Sequence, residues 1–259
     1  MPRLLVRRPS PRLAEGELTH LEREPVDADL ALRQWESYVD VFRQRGWEII
    51  AVDPAEEHAD GVFIEDALVM FGDLAVLTRP GADSRRGEVD SARSALDDAG
   101  IPYRAIEEPA TLDGGDVLKI GRTAYVGRSG RTNEAGIAQL RDLVSPRGWT
   151  VVAVPVSKVL HLKSGVTALP DGTVVGFEPL VDDPEAYPEF LAVPDEHGTA
   201  VVVLDEGTVL ISADAPATAE LYRDRGLEVI TTPITEFEKL EGCVTCLSVR
   251  IRDDVQGRA

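Results

Sequence analysis

The stretch Val117-Leu118-Lys119-Ile120-Gly121-Arg122-Thr123-Ala124-Tyr125-Val126 reads as two short strands joined by a tight turn, with Gly121 placed where the turn needs a positive φ. The same pattern recurs along the chain. Upstream, Leu68-Val69-Met70-Phe71, preceded by Val62-Phe63-Ile64, turns at Gly72-Asp73 into Leu74-Ala75-Val76-Leu77. Downstream, Val166-Thr167-Ala168-Leu169 turns at Pro170-Asp171-Gly172 into Thr173-Val174-Val175-Gly176, and Ala200-Val201-Val202-Val203-Leu204 runs to a turn at Glu206-Gly207. Gly72, Gly121, Gly172 and Gly207 are spaced 49, 51 and 35, so one unit is shorter than the rest.

Amphipathic helices follow the hairpins. From Leu30 to Arg45 the residues Leu30, Leu32, Trp35, Tyr38, Val39 and Phe42 keep a helical period, which predicts one buried face. Arg45-Gly46-Trp47, Arg147-Gly148-Trp149 and Arg225-Gly226-Leu227 each put a glycine where a helix ends, and Ala99-Gly100-Ile101 is a fourth copy. A strand comes next each time, at 48–52, 103–106, 150–156 and 228–232. Units this small cannot bury their faces alone; they stack along a line or around an axis. The ends favour closure. Leu4-Leu5-Val6 lacks a preceding hairpin partner and the last strand, 244–251, lacks a following one, so the two complete one unit between them. The expected fold class is α/β, a closed propeller of five ββαβ modules forming a single domain over residues 1–259. Two doubly wound α/β domains meeting near residue 157 are the alternative, though no low-complexity linker marks that boundary.

At 259 residues, against ~150 for a typical domain, the chain allows one large domain or two ordinary ones. A hydrophobic fraction of 43% with 28% charged residues excludes a collagen or a disordered chain. No run approaches the ~20 apolar residues of a membrane span. Met1-Pro2-Arg3-Leu4-Leu5-Val6-Arg7-Arg8 returns to charge after three apolar residues, which predicts a first strand and a cytoplasmic protein rather than a signal peptide. With 46 acidic against 27 basic residues, the formal charge of −19 disfavours nucleic acid and anionic membranes as partners and favours the approach of small cations. The sequence leaves the oligomeric state open.

Residues able to do chemistry fall at nearly the same place in each unit, at or just before its first hairpin strand. They are Glu65 and Asp66, then Asp113 and Asp116 in Asp113-Gly114-Gly115-Asp116, His161 in His161-Leu162-Lys163-Ser164-Gly165, and Cys246 in Cys243-Val244-Thr245-Cys246. Asp66 to Asp113 is 47 residues and Asp113 to His161 is 48, the length of one unit, so a ring would bring them to its axis. Singly, each has a plainer reading: Cys246 as a small buried hydrophobe on a strand, His161 as an ordinary histidine, the Asp-Gly-Gly-Asp run as a tight loop. The only cysteines, Cys243 and Cys246, imply no disulfide framework. Their spacing could supply half a zinc site, but no second pair exists and His20, His58 and His197 lack ligand spacing, so no metal is expected. A redox dithiol normally opens a helix, whereas this pair lies in strand-like sequence. Together, a Cys, a His and a carboxylate make a nucleophile, a general acid and base, and an orienting anion. Two further carboxylates would hold a planar cation, giving a site that attacks the carbon of a guanidinium.

These residues resemble the dimethylarginine dimethylaminohydrolase family, within the guanidino-group-modifying superfamily of pentein fold. The likeness runs over essentially the whole chain, through 60–66, 77–88, 112–117, 127–133, 161–165 and Val244-Thr245-Cys246-Leu247-Ser248. It implies five ββαβ modules in a ring, Cys246 as nucleophile, His161 as general acid and base, and Asp113 as the carboxylate that orients His161. It further implies that Glu65 and Asp66 grip the substrate guanidinium, that Arg85 and Arg131 clamp its α-carboxylate, and that Asp60 meets its α-amino group. Leu18, in Gly16-Glu17-Leu18-Thr19-His20, matches the tip of a lid spanning 13–29.

Arginine and agmatine deiminases also resemble this sequence, but they carry His-x-Asp where this chain has Lys163. Losing that anion leaves room for N-methyl groups, and the two arginine clamps argue for an amino acid over agmatine. Cys243 has no catalytic counterpart and reads as structural. The implied activity is hydrolysis of asymmetric dimethylarginine or monomethylarginine to citrulline and an alkylamine, through a covalent thiouronium on Cys246 and without a cofactor. Rivals left open are an arginine deiminase or amidinotransferase of the same superfamily, a non-catalytic binder of cationic guanidino amino acids, and a dithiol redox protein.

Overall fold

Residues 1–252 are described in the computed structural model, and they form five separate three-stranded sheets. In the first, β1 (Arg3–Arg7) runs parallel to β2 (Glu48–Val52), with α1 (Ala28–Gln44) connecting them. The second is the hairpin β3 (Leu68–Phe71) and β4 (Leu74–Leu77), followed by α2 (Glu88–Asp98) and β5 (Tyr103–Ala105) parallel to β4. The third repeats this with β6 (Val117–Ile120), β7 (Thr123–Arg128), α3 (Glu134–Val144) and β8 (Thr150–Pro155). After the one-turn helix α4 (Leu162–Gly165), the fourth sheet is β9 (Thr167–Ala168), β10 (Val174–Gly176) and β11 (Phe190–Ala192). Short 3₁₀ turns replace its helix, which accounts for the shortened glycine spacing. The fifth is β12 (Val202–Val203), β13 (Thr208–Ser212), α5 (Pro216–Asp224) and β14 (Glu228–Thr232). One more turn of helix, α6 (Thr235–Glu238), leads to β15 (Val249–Ile251), which pairs antiparallel with β1 and completes the first sheet.

Strand alternation builds the ring. Successive side chains of a strand point to opposite faces, and here each face meets a different neighbouring module. Leu4 and Val6 of β1 pack with Val202 and Leu210 of the fifth module, while Leu5 packs with Leu68 and Met70 of the second. Val69 and Phe71 pack with Val117 and Val126 of the third, whose Leu118 and Tyr125 pack with Val174 of the fourth. Leu169 and Val175 then meet Val209 and Ile211 of the fifth. Five apolar clusters, each bridging two adjacent modules, close the circle. That closure excludes two doubly wound domains, whose boundary would leave one large core on each side.

Local readings mostly stand, with four differences. In α1, capped by the Asp27 carboxylate accepting from Leu30 N–H, Gln34 is buried while Leu30 and Leu32 are half-buried. Gln34 is accommodated because its amide donates to Thr235 Oγ1 and accepts from Glu236 N–H. Gly207 does not take a positive φ; the Asp205 carboxylate accepts from Gly207 N–H and shapes that turn instead. The 62–64 run enters a 3₁₀ turn, Ile64–Asp66, rather than a strand. The last strand is only Val249–Ile251, because 243–247 fold into turns. Among the described residues no helix is long and apolar enough to cross a membrane.

Candidate active site

The Asp113-Gly114-Gly115-Asp116 run passes tightly against the second and fourth modules, which is why its centre is glycine. A Cβ at Gly114 would stand 1.9 Å from the Glu65 carbonyl oxygen, and one at Gly115 2.7 Å from His161 Nδ1. The two aspartates then do different work. Asp113 Oδ2 lies 3.0 Å from His161 Nε2, and its Oδ1 accepts from Gly81 N–H. Asp116 accepts from Ser129, from Thr132 and from Leu162 N–H, so it anchors the start of α4 just after His161. Burial lifts the Asp116 carboxyl to about 6 against the pull of His161 and its two hydroxyl donors.

His161 Nδ1, the nitrogen not held by Asp113, lies 3.8 Å from Asp66 Oδ1. Burial opposes the imidazolium, yet Asp66 and the hydrogen bond to Asp113 prevail and lift His161 to about 9. Burial would also lift Asp66, but His161 and Arg85 outweigh it and hold that carboxyl at about 2. The site therefore contains a charged imidazolium at neutral pH.

Arg85 is more committed than a substrate clamp need be. It donates to Asp66 Oδ2 at 2.8 Å, to both Glu88 oxygens at 2.9 and 3.0 Å, and to the Asp60 and Phe63 carbonyls. Of the five guanidinium N–H groups, these bonds leave one on Nη1 uncommitted, and Arg85 lines the cleft. Glu65 is likewise engaged. Its Oε1 is 2.7 Å from Lys163 Nζ and 2.9 Å from Arg250 Nη2, while its Oε2 is buried without a partner. Arg250 also donates through Nη1 to the Thr245 and Ser248 carbonyls, next to Cys246.

Cys246 sits on a turn, its N–H donating to the Cys243 carbonyl at 3.1 Å, and not on the expected strand. The two sulfurs are 3.2 Å apart. The Cys246 thiol, donating toward Cys243 and buried near Glu65 and Asp66, is pushed well up, while Cys243 is drawn down to about 7 chiefly by that same contact.

At the other end of the cleft, Arg131 Nη2 pairs with Glu17 Oε2 at 3.1 Å and its Nη1 is buried without a partner. Asp60 Oδ2 accepts from Glu17 N–H at 3.0 Å, and burial raises the Asp60 carboxyl. The Glu241 carboxylate accepts from the peptide N–H groups of Thr19, His20 and Leu21, tying down the segment. Leu18 packs on the core formed by the first and fifth modules, so it is Glu17 that enters the cleft. Neighbours on extended chain face opposite ways.

One cleft is thus lined by six of the predicted site residues, Asp60, Asp66, Arg85, Arg131, His161 and Cys246. Asp113 and Glu65 stand behind it, and Leu18 lies outside it. Sequence reasoning missed Glu17, Glu88 and Arg250; only Glu88 left a signal, three residues after Arg85 in the first turn of α2. Asp66, Asp113 and His161 bring possible metal-ligand atoms within 4.8 Å of one another, but the oxygens of both aspartates are already engaged, Asp66 by Gly115 N–H and Arg85 and Asp113 by Gly81 N–H and His161. The arrangement offers a sulfur nucleophile, a proton donor, anions for a cation and an arginine for an anion.

A ring of five ββα-type modules with this set of groups converging in one cleft defines a pentein-fold hydrolase. The profile of the eukaryotic N,N-dimethylarginine dimethylhydrolase family matches residues 19–166. A curated N(G),N(G)-dimethylarginine dimethylaminohydrolase from Streptomyces coelicolor is 59% identical over 249 residues, covering 96% of each chain. The solved structure of the Pseudomonas aeruginosa enzyme, a cysteine-to-serine mutant complexed with citrulline, superposes with a TM-score of 0.89 at 29% identity, covering 96% of this chain and 98% of that one. A dimethylarginine dimethylaminohydrolase with a histidine-to-glycine substitution, solved as an adduct with S-methyl-L-thiocitrulline, gives 0.88 at 28% identity, covering 97% of this chain and 100% of that one. The chain belongs to the dimethylarginine dimethylaminohydrolase family.

Proposed function

We propose that this protein hydrolyses Nω-methylated arginine to citrulline and an alkylamine, with Cys246 as nucleophile, His161 as general acid and base, and Asp113 holding His161. One observation carries the reading: the cleft has two chemically opposite ends. Asp66 lies beside His161 and Cys246, while Arg131 turns an unpaired buried donor toward the other side. That polarity suits an amino acid with a cationic planar side chain. The name of the Streptomyces relative and the citrulline and thiocitrulline ligands of the solved relatives agree with it.

In the proposed reaction the substrate carboxylate docks on Arg131, assisted by the remaining Arg85 N–H, and Asp60 meets the α-amino group. The guanidinium settles against Asp66, with Glu65 behind it. Its positive charge, together with that of His161, favours loss of the Cys246 proton to solvent, and the thiolate adds to the guanidinium carbon. His161 passes the Nδ1 proton to the departing alkylamine as the C–N bond breaks, leaving a thiouronium on Cys246. Water then attacks the same carbon, His161 takes its proton, and the C–S bond breaks to give citrulline and free Cys246. Binding supplies the orientation, so no cofactor is invoked. Lys163 neutralises Glu65, so no free carboxylate contests the methyl-bearing nitrogen; this favours methylated arginine over arginine. A cytoplasmic setting, where thiols stay reduced, suits such a nucleophile.

The test is product identification with asymmetric dimethylarginine. Citrulline and dimethylamine in equal amounts support the reading; ammonia from arginine as the faster reaction would replace it with a deiminase, and tight binding with no product would leave a binding protein.

A further inference from the structure

In a strand, residues three apart point to opposite faces, so the strand-like reading of 244–251 kept Cys243 and Cys246 apart. The structure makes a turn there instead. Closed by Cys246 N–H donating to the Cys243 carbonyl at 3.1 Å, it puts both sulfurs on one side, 3.2 Å from each other. Cys243 is half-buried and Cys246 buried, at 6% exposure. Thr245 Oγ1 lies 3.3 Å from the Cys243 sulfur. Cys243 is thus the more exposed residue of the pair, and Cys246 lines the cleft with His161.

We propose that Cys243 and Cys246 form a reversible disulfide when the protein meets a hydroperoxide, masking the nucleophile and shielding it from irreversible oxidation. The masking rests on the proposed role of Cys246; the disulfide itself does not. The Cys243 thiolate attacks one peroxide oxygen, the O–O bond breaks, and a sulfenic acid forms with release of water or alcohol. The Cys246 sulfur, giving up its proton, then attacks the Cys243 sulfur; the S–S bond forms and the S–O bond breaks, releasing water. Two thiols lose one electron each and the peroxide gains both. A dithiol reductant reverses the change by two exchange steps.

Geometry favours each stage. Cys243 is the more exposed residue of the pair, which makes it the attacking sulfur. Its partner is already in contact within an existing turn, so only the gap from 3.2 Å to the ~2.0 Å of a covalent bond has to close. Once bonded, the Cys246 sulfur has no electron pair to offer a guanidinium as a thiolate. Reaching the sulfinic level requires the sulfenic acid to survive, and a thiol in van der Waals contact removes it first.

The experiment treats the full chain, fully reduced, with hydrogen peroxide, blocks remaining thiols with an alkylating agent, and follows intact mass alongside citrulline formation. Wild-type protein should lose two hydrogens, resist alkylation at both cysteines, lose activity in parallel and regain it with dithiothreitol. Cys243→Ser and Cys243→Ala, each scaled to its own starting rate, should instead gain two oxygens on Cys246 and recover roughly tenfold less activity. A wild-type protein that gains oxygen without losing two hydrogens overturns the disulfide and leaves the hydrolase reading standing. Disulfide formation with full retention of activity overturns the masking and the nucleophile assignment together.

Discussion

Glu17 and Arg131 form an ion pair at the mouth of the cleft, with Glu17 Oε2 standing 3.1 Å from Arg131 Nη2. A carboxylate of the chain itself thus occupies the arginine proposed to receive the substrate carboxylate. The segment that carries it is held by the Asp60 and Glu241 carboxylates and by Leu18 packed on the core.

Substrate entry must therefore displace Glu17, and residues 13–29 should respond as a lid. Citrulline should change hydrogen exchange and proteolysis across that segment; identical protection with and without ligand rules the lid out. Leu18→Gly should lower kcat/KM without altering thiol alkylation in the free enzyme. Glu17→Gln removes the competing charge and should lower KM by up to about fivefold, the worth of a half-exposed ion pair. A rise in KM would make Glu17 a contributor to binding.

Cys246→Ser should abolish turnover and leave citrulline binding within about tenfold, since the hydroxyl is nearly isosteric but a far weaker nucleophile. His161→Gly should stop amine release. Near-wild-type rates for either variant, measured by citrulline formation, would remove that residue from the mechanism.

The elevated His161 pKa fixes a pH dependence. Because the group titrates at about 9 folded against 6.5 when unperturbed, its contribution to stability is complete below pH 6.5 and disappears as pH rises through about 9. At its fullest it is on the order of 3 kcal/mol. Urea denaturation of wild type and His161→Gly should give midpoints that differ most at pH 6 and converge above pH 9; a gap that widens with pH contradicts the assignment. Asp113→Asn should narrow the gap and slow turnover, since an amide holds the imidazolium less well.

Much of this was legible in the sequence and some was not, for definable reasons. Hairpin glycines, helix caps and the 47- and 48-residue spacings expose the ring and its converging residues because they follow from local backbone geometry repeated in register. Partner choice is different. Arg85 meets Glu88, Asp66 and the Phe63 carbonyl, and nothing in the linear pattern ranks those against a substrate carboxylate. The turn at Cys243–Cys246 was hidden because Val-Thr-Cys-Leu-Ser-Val favours extended chain by propensity, whereas hydrogen bonds from Arg250 to the Thr245 and Ser248 carbonyls hold it bent.

The two arginines should separate kinetically. Arg131→Ala loses the proposed charge-assisted contact to substrate and its ion pair with the half-exposed Glu17, and should raise KM for amino-acid substrates by about 10–100-fold, with methylguanidine-like compounds nearly indifferent. Arg85→Ala also frees Asp66 and leaves Glu88 buried without its cation, so kcat and thermal stability should fall as well. Parallel KM effects with unchanged kcat in both variants would restore Arg85 to a simple clamp.

Arg250 grips Glu65 and the carbonyl preceding Cys246 with one side chain. Arg250→Gln should lower kcat more than it raises KM and should alter the rate at which Cys246 is alkylated, with Arg250→Lys restoring only part of both. A change confined to melting temperature would make the residue purely structural.

The strand that carries Arg250 pairs Arg3 with Ile251 and Leu5 with Val249, joining the beginning of the described ring to its end. Chains are synthesised from the N-terminus and their early parts fold first, so the other four sheets can assemble on the ribosome while the first still lacks an edge. Until residues 249–251 have been made, Glu65 has no Arg250, and the turn bearing Cys246 has its own backbone hydrogen bond but not the side chain that grips its carbonyls. The grip on that turn therefore arrives last in the life of the polypeptide, and a translation product interrupted between Cys246 and Arg250 carries both sulfurs without it.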